Sequence, residues 1–339
     1  MKTKKKLVVI IVCACVAVMF CAIGVFASMF TSRSNEENAV EYRLKVRKGE
    51  GSKSIAAELK ANKIIKSKYV FYIYSRIRKP SVKAGIYSVS SSLNPSQILD
   101  ILESGKQESI IVSVPEGLTM RRIGELLQTN EVCSQEEFLE ACKDAELLRS
   151  FGFDPEKIVN FEGFLFPDTY YFSPDMSGSD VVKIMVDNFY ARTSAIKNFS
   201  DLSIDEMYYT LRLASIVERE YRLEEEAPLI ASVFANRLRR TIGLYSCATV
   251  EYIITEIEGR PHPEVITYND LKIDSPYNTY LYAGLPPTPI SNPGIVALDA
   301  STNTPRTKYY FFRLVDPVQG RHHFSTDFEE HTETGRLVK

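Results

Sequence analysis

The chain is poor in cysteine and histidine, and the few that it has are placed against most metal and redox chemistry. Of six cysteines in 339 residues, Cys13, Cys15 and Cys21 lie inside an apolar N-terminal run. The remaining Cys133, Cys142 and Cys247 are odd in number and lack metal-ligand spacing, so no disulfide framework is indicated. A lone Cys133–Cys142 bond stays open in an oxidising compartment, with two buried thiols as its alternative. The four histidines, His262, His322, His323 and His331, form no H-E-x-x-H or comparable pattern, so no metal site is expected. G-x-S-x-G, the P-loop and G-x-G-x-x-G are also missing, and no cofactor is expected. Repeats and low-complexity tracts are absent as well.

What is present starts at the N-terminus. Met1–Lys6 reads M-K-T-K-K-K, and Leu7–Phe30 follows with 24 residues free of charge. A signal peptide's apolar region runs about 7–15 residues, whereas about 20 cross a bilayer. The expectation is an uncleaved anchor, with V-F-A at Val25–Ala27 keeping a cleaved signal as the alternative. The four lysines before the run place the N-terminus in the cytoplasm and the rest outside. Without those four, 37 basic residues face 43 acidic ones. The charge is unevenly spread: Arg43–Ser88 carries 13 Lys/Arg against Glu50 and Glu58 alone. Outside a membrane such a surface suits anionic lipid headgroups or an anionic wall polymer, not nucleic acid. A solvated face without a partner is the plainer reading.

With 45% hydrophobic residues the chain can bury more than one core. The expected fold class is α+β, in five parts: a cytoplasmic tail 1–6, a transmembrane helix 7–30, a linker 31–42, a small module 43–107 and a larger mixed α+β domain 108–339. In the module, Tyr42–Val46 and A-G-I-Y-S-V read as strands around two helices, and a third helix begins near Pro95 and stops at Gly105. Glu108–Gly117 should open the large domain as a strand. A long helix should begin near Ser203, whose spacing to Glu206 fits a capping box, S-I-D-E. P-L-I-A-S-V-F-A-N-R-L-R-R reads as the next helix, Asp274–Gly294 as loop, and Lys308–Val315 with R-H-H-F-S-T as a strand hairpin.

The long helix poses the chemical question. At about 100° per residue, Met207, Leu211, Ala214, Glu218 and Tyr221 share one arc, with Glu218 in its middle. Arg212, Ser215, Arg219 and Arg222 gather beside it. A carboxyl in apolar company costs several kcal/mol unless it is paired or protonated. A raised pKa is what a general acid needs near neutral pH. The competing explanation is a helix pair with Arg222, four residues on. Glu220 is another candidate acid, but it points about 200° away. Glu162 and Asp168, in the aromatic stretch Phe161–Phe172, could supply a second carboxylate or simply cap backbone N–H groups. The Y-N-T-Y-L-Y loop, Tyr277–Tyr282, offers faces for a sugar or packing for the core.

Several segments in order resemble one family, the endolytic murein transglycosylases of the YceG-like type. They are V-P-E-G-L-T at Val114–Thr119, E-G-F-L-F-P-D-T-Y at Glu162–Tyr170 and L-A-S-I-V-E-R-E at Leu213–Glu220, then F-A-N-R-L at Phe234–Leu238. S-P-Y-N-T-Y at Ser275–Tyr280, G-L-P-P-T-P-I-S-N-P-G at Gly284–Gly294 and G-R-H-H-F-S at Gly320–Ser325 complete the series. Arg43–Lys106 resembles the family's LysM-like module. The resemblance implies that Glu218 is the catalytic acid of a membrane-anchored enzyme. That enzyme would cleave the β-1,4 bond between N-acetylmuramic acid and N-acetylglucosamine, leaving 1,6-anhydro ends, and would trim or terminate nascent strands. Peptidoglycan, the cytoplasmic membrane and cell-wall synthases are the implied partners. Candidate substrate contacts are Glu162, Asp168, Ser215, Asn236, Tyr252, Tyr277, Asn278, Tyr280 and His322. Two departures stand out: Tyr245-Ser246-Cys247-Ala248 replaces a Gln-Ser/Thr-Asp run, and Thr288 replaces a glycine. A wall-binding or division scaffold without activity and a water-using two-carboxylate hydrolase are the rival functions.

Overall fold

The computed structural model describes residues 16–21, 23–47, 49–105, 109–174 and 176–337. The chain divides into two compact units, Met1–Ser109 and Ile110–Lys339. Of the expected span Leu7–Phe30, residues 7–15 and 22 lie outside the described residues, and 16–21 and 23–30 are helical. Among the described residues no helix is long and apolar enough to cross a membrane.

In the first unit, β1 (Glu41–Val46) pairs antiparallel with β2 (Gly85–Ser90), Leu44 opposite Tyr87. Between them run α1 (Ser52–Ala61) and α2 (Lys68–Arg78), and α3 (Pro95–Ser104) follows. The start of α3 is written in its sequence. Asn94 and Gln97 form a reciprocal capping box around Pro95, and Gly105 ends the helix at φ 68°, a conformation that suits glycine. Leu44, Leu59, Phe71, Tyr87, Ile98 and Leu102 make the core.

The second unit opens with β3 (Ile110–Ser113), paired antiparallel with β4 (Thr169–Phe172). β4 falls inside the aromatic stretch, where the sequence pattern gave no strand; its alternation of buried Tyr170 and Phe172 with exposed Tyr171 is short and needs β3 as partner. Of the helices α4 (Met120–Thr129), α5 (Gln135–Ala141), α6 (Ala145–Ser150) and α7 (Gly178–Thr193), α5 packs against both α4 and α7. At the centre lies α8 (Ile204–Glu220), capped by Ser203 and Glu206 as the spacing predicts. It packs against α9 (Ala227–Arg239), α10 (Cys247–Tyr252) and α11 (Ile295–Thr302). A π-helical turn, Ile253–Ile257, prolongs α10. The predicted hairpin is β5 (Phe311–Asp316) with β6 (Arg321–Ser325), and α12 (Phe328–Leu337) follows.

Cys133 and Cys142 are free thiols, which removes the disulfide alternative. Burial pushes Cys133 up to about 11 and Cys142 well above the ordinary thiol value, so both stay protonated.

Candidate active site

Helix α8 ends two residues before a helix pair with Arg222 would require. Tyr221 is already extended, at ψ 151°, so Arg222 leaves the helix direction. Among the described residues no ion pair joins Arg222 to Glu218. Glu218 instead lies in the last turn, on the side of buried Met207, Leu211 and Ala214. Tyr221 reaches back to it, its hydroxyl 3.4 Å from Oε1.

Three stretches far apart in sequence meet at this carboxyl. The Gly294 N–H, at the start of α11, donates to Glu218 Oε2 at 2.9 Å. Gly117, in the V-P-E-G turn, backs onto the side chain: it has φ +75°, and a Cβ there would stand 3.6 Å from Glu218 Cγ. Glu116, its neighbour, is packed against Gly294, where an added Cβ would fall 2.0 Å from Glu116 Oε1. With about 2.5 Å between a residue's N and Cβ, the two carboxyl groups are within about 7.5 Å of each other. Burial pushes Glu218 up to about 7; the Gly294 N–H opposes this, and Glu116 adds to it. Tyr221 and Arg219 oppose it more weakly.

Glu218 opens onto a cleft of about 490 Å³ also lined by Glu116, Arg122, Arg219, Glu251 and His262. Arg219 is held off Glu218 by Glu251, at 2.6 Å, and His262 Nε2 lies 2.9 Å from the same Glu251 oxygen. The cleft is thus ringed by charged groups around one half-buried acid. Such an acid can give or take a proton at a molecule bound in the cleft.

Of the ten residues singled out from sequence, Glu218 alone lines this cleft. Glu162 is 2% exposed; its carboxyl accepts from the Met120 N–H, at 2.8 Å, at the start of α4, and from Asn292 Nδ2 at 2.8 Å. Burial pushes it up to about 8, opposed by those donors. Asp168 accepts from Asn188 and pairs with Arg192, which holds its carboxyl below the usual range against the effect of burial. Ser215 uses its hydroxyl to accept from the Ile290 N–H at 3.0 Å. Asn236 donates to Tyr309 O, and Asn278 to Leu271 O and Ile273 O. Tyr252 packs on Tyr277, whose hydroxyl is 2.9 Å from Thr288 Oγ1. His322 Nδ1 lies 2.7 Å from Glu226. These residues hold helices and loops of the large unit to one another. Their polar side chains in turn-rich segments resemble sugar contacts in sequence because both roles use the same chemistry.

Asn292 ties the motifs together. Its Oδ1 accepts from the Gly163 and Leu165 N–H groups, at 2.8 and 2.9 Å, while its Nδ2 reaches Leu118 O and Glu162. The Gly117 N–H donates to Asn292 O at 2.9 Å. Sequence reasoning missed Asn292 and Glu116, although both stand inside quoted motifs, S-N-P-G and V-P-E-G. The unusual Tyr245–Ala248 run lies elsewhere. Tyr245, Cys247, Tyr280 and Glu220 line a separate cavity of about 680 Å³, with Glu220 accepting from the Ser246 hydroxyl. Thr288 is buried and likewise away from Glu218's cleft.

Known proteins match along most of the chain. An endolytic murein transglycosylase of Bacillus subtilis is 28% identical over 82% of this chain and 79% of its own length. One of Streptococcus pneumoniae is 27% identical over 84% of this chain but only 56% of its own length. The crystal structure of a YceG-like protein from Listeria monocytogenes is 28% identical and superposes with a TM-score of 0.59, covering 87% of this chain and 99% of the other. The YceG-like family pattern matches residues 44–336, and this chain belongs to that family.

Proposed function

We propose that the protein is a membrane-anchored endolytic lytic transglycosylase acting on peptidoglycan glycan strands. The observation that carries this is one half-buried carboxyl, Glu218, raised to about 7 and open to a groove beside a single backbone donor, Gly294 N–H. Two relatives named endolytic murein transglycosylase support the substrate class.

The chemistry follows from the hydrogen bonds. The Gly294 N–H occupies Oε2, so the transferable proton sits on Oε1. Glu218 gives that proton to the glycosidic oxygen as its bond to the muramyl C1 breaks. The new carboxylate, steadied by Gly294 and Tyr221, then takes the proton of the muramyl C6 hydroxyl, whose oxygen bonds to C1 and closes the 1,6-anhydro ring. No water is consumed. Acid and base are the same group, which requires a pKa near ambient pH. Glu116, facing the same cleft, offers negative charge to the oxocarbenium-like C1.

The first unit supports a LysM-like reading, since two helices lie between its antiparallel strands. Anchoring rests on Leu7–Phe30 and the preceding lysines.

A hydrolase built on Glu162 or Asp168 loses its basis, because neither lines the cleft. Glu116 keeps a two-carboxylate hydrolase testable, since separations of about 5–9.5 Å serve such enzymes. Mass spectrometry of muropeptides released by the full chain decides. Anhydromuramyl ends are expected from wild type and none from a folded Glu218→Gln. Reducing ends would establish the hydrolase; no release at all would leave the scaffold.

A further inference from the structure

Helix α2 leaves an apolar stripe bare on the smaller unit. Tyr69, Ile73 and Ile77 are 69%, 47% and 73% exposed, while Val70, Phe71 and Ser75 of the same helix are buried. At about 100° per residue the three exposed side chains fall on one arc together with Arg76. Three large apolar groups aligned on one helix face mark a contact surface more than scattered exposure does.

The rim of the stripe is basic. Lys68 and Lys79 flank it and Lys66 precedes it, with the Lys68 ammonium 5.2 Å from the centre of the Tyr69 ring. The nearby acids are already engaged: Arg78 takes Asp100 at 2.6 Å and Glu103 at 2.8 Å. A wall polymer would satisfy the bases and leave the apolar groups in water. An anionic bilayer satisfies both, with hydrocarbon for isoleucine, the interface for tyrosine and phosphate for lysine and arginine.

The end of the N-terminal apolar run lies against this same helix. Phe30 meets the Tyr74 ring edge-on, centroids 4.6 Å apart, and Lys66 Nζ donates to Ser28 O at 3.3 Å and Thr31 Oγ1 at 2.6 Å. A chain anchored by that run brings α2 to the bilayer surface.

We infer that Tyr69, Ile73 and Ile77 insert into the leaflet from which the anchor emerges, with Lys66, Lys68, Arg76 and Lys79 gripping anionic headgroups. This rests on the anchored reading above. The smaller unit is then a membrane-surface module on this face.

The test uses the full chain with benzoylphenylalanine in place of Ile73, reconstituted into phosphatidylglycerol vesicles, floated, irradiated and analysed by mass spectrometry. A lipid adduct is expected at position 73 and not when the probe replaces Lys53, an exposed residue of α1. Lys68→Gln, Arg76→Gln and Lys79→Gln together should lower the adduct yield several-fold. The same drop should follow substitution of phosphatidylcholine for phosphatidylglycerol. A chain that floats yet gives no lipid adduct, or gives equal adducts at both positions, overturns the surface and leaves the anchor standing. A cross-link to a second copy, or to added glycan strands, overturns it in favour of that partner. A chain that does not float removes the anchor and the inference with it.

Discussion

Replacing Glu116 by glutamine should move the pH dependence of catalysis downward. Glu218 must be protonated to act as acid, so activity should fall as pH rises through about 7. Glu116 contributes to that high value by placing negative charge within about 7.5 Å. Across such a distance two unit charges interact by about 0.6 kcal/mol in water and about 2.2 kcal/mol at an effective dielectric of 20. At about 1.4 kcal/mol per pKa unit, those limits correspond to shifts of about 0.4 and 1.6 units. The cleft is open to solvent, so the screened half of that range applies, about 0.5–1 unit. Anhydromuramyl ends released by the full chain in detergent micelles, measured between pH 5 and 9, give the midpoint directly. Glu116→Gln should lower it by that amount, and Glu116→Asp should restore it. Any fall in the acid plateau is a separate quantity, reporting lost stabilisation of positive charge at C1. An alkaline limb that stays put, or moves upward, would refute the argument that Glu116 sets the acidity of Glu218.

The neighbouring Gly294→Ala should act in the same direction. Its backbone, at φ −80°, accepts alanine, but the methyl group displaces the Glu116 carboxyl, so the midpoint should fall while the melting temperature holds. Asn292→Ala should cost about 3–5 kcal/mol in denaturant unfolding, because it orphans the buried Gly163 and Leu165 N–H groups and a bond to Glu162; a loss under 1 kcal/mol would show that water replaces it. Glu162 ionises near 8 when folded against 4.5 for an ordinary glutamate. Its contribution is therefore fully present below 4.5 and is lost as pH rises through about 8. Unfolding midpoints should drop between pH 4.5 and 8, and Glu162→Gln should flatten that slope; an unchanged slope would mean that the helix N-terminus holds the carboxylate charged.

Much of the local structure was legible because its causes lie within a few residues. The Ser203–Glu206 box, the Asn94–Pro95 start and the Gly105 stop are contacts between near neighbours, and all appear where the spacing puts them. The placement of Glu218 on an apolar helix face is of the same kind. The end of α8 was not legible: nothing in E-R-E-Y-R marks Tyr221 as extended, and that single residue decides that Arg222 leaves the helix. Glu162 was ambiguous because a carboxylate in a turn serves equally to bind a ligand or to hold a helix start. Only its enclosure by Met120 and Asn292 chose the second.

Sequence by itself thus determined the family and the place of Glu218 on an apolar helix face, since ordered motifs and short-range periodicity are properties of the string. Tertiary structure alone decided what surrounds that acid. Residues 116, 117 and 294 reach position 218 by closing loops of about a hundred residues and about seventy-five residues, and no local preference encodes such a closure. The same holds for the bare stripe of α2. Tyr69, Ile73 and Ile77 are as apolar as the core residues beside them, and only the packing of the unit leaves them facing outward.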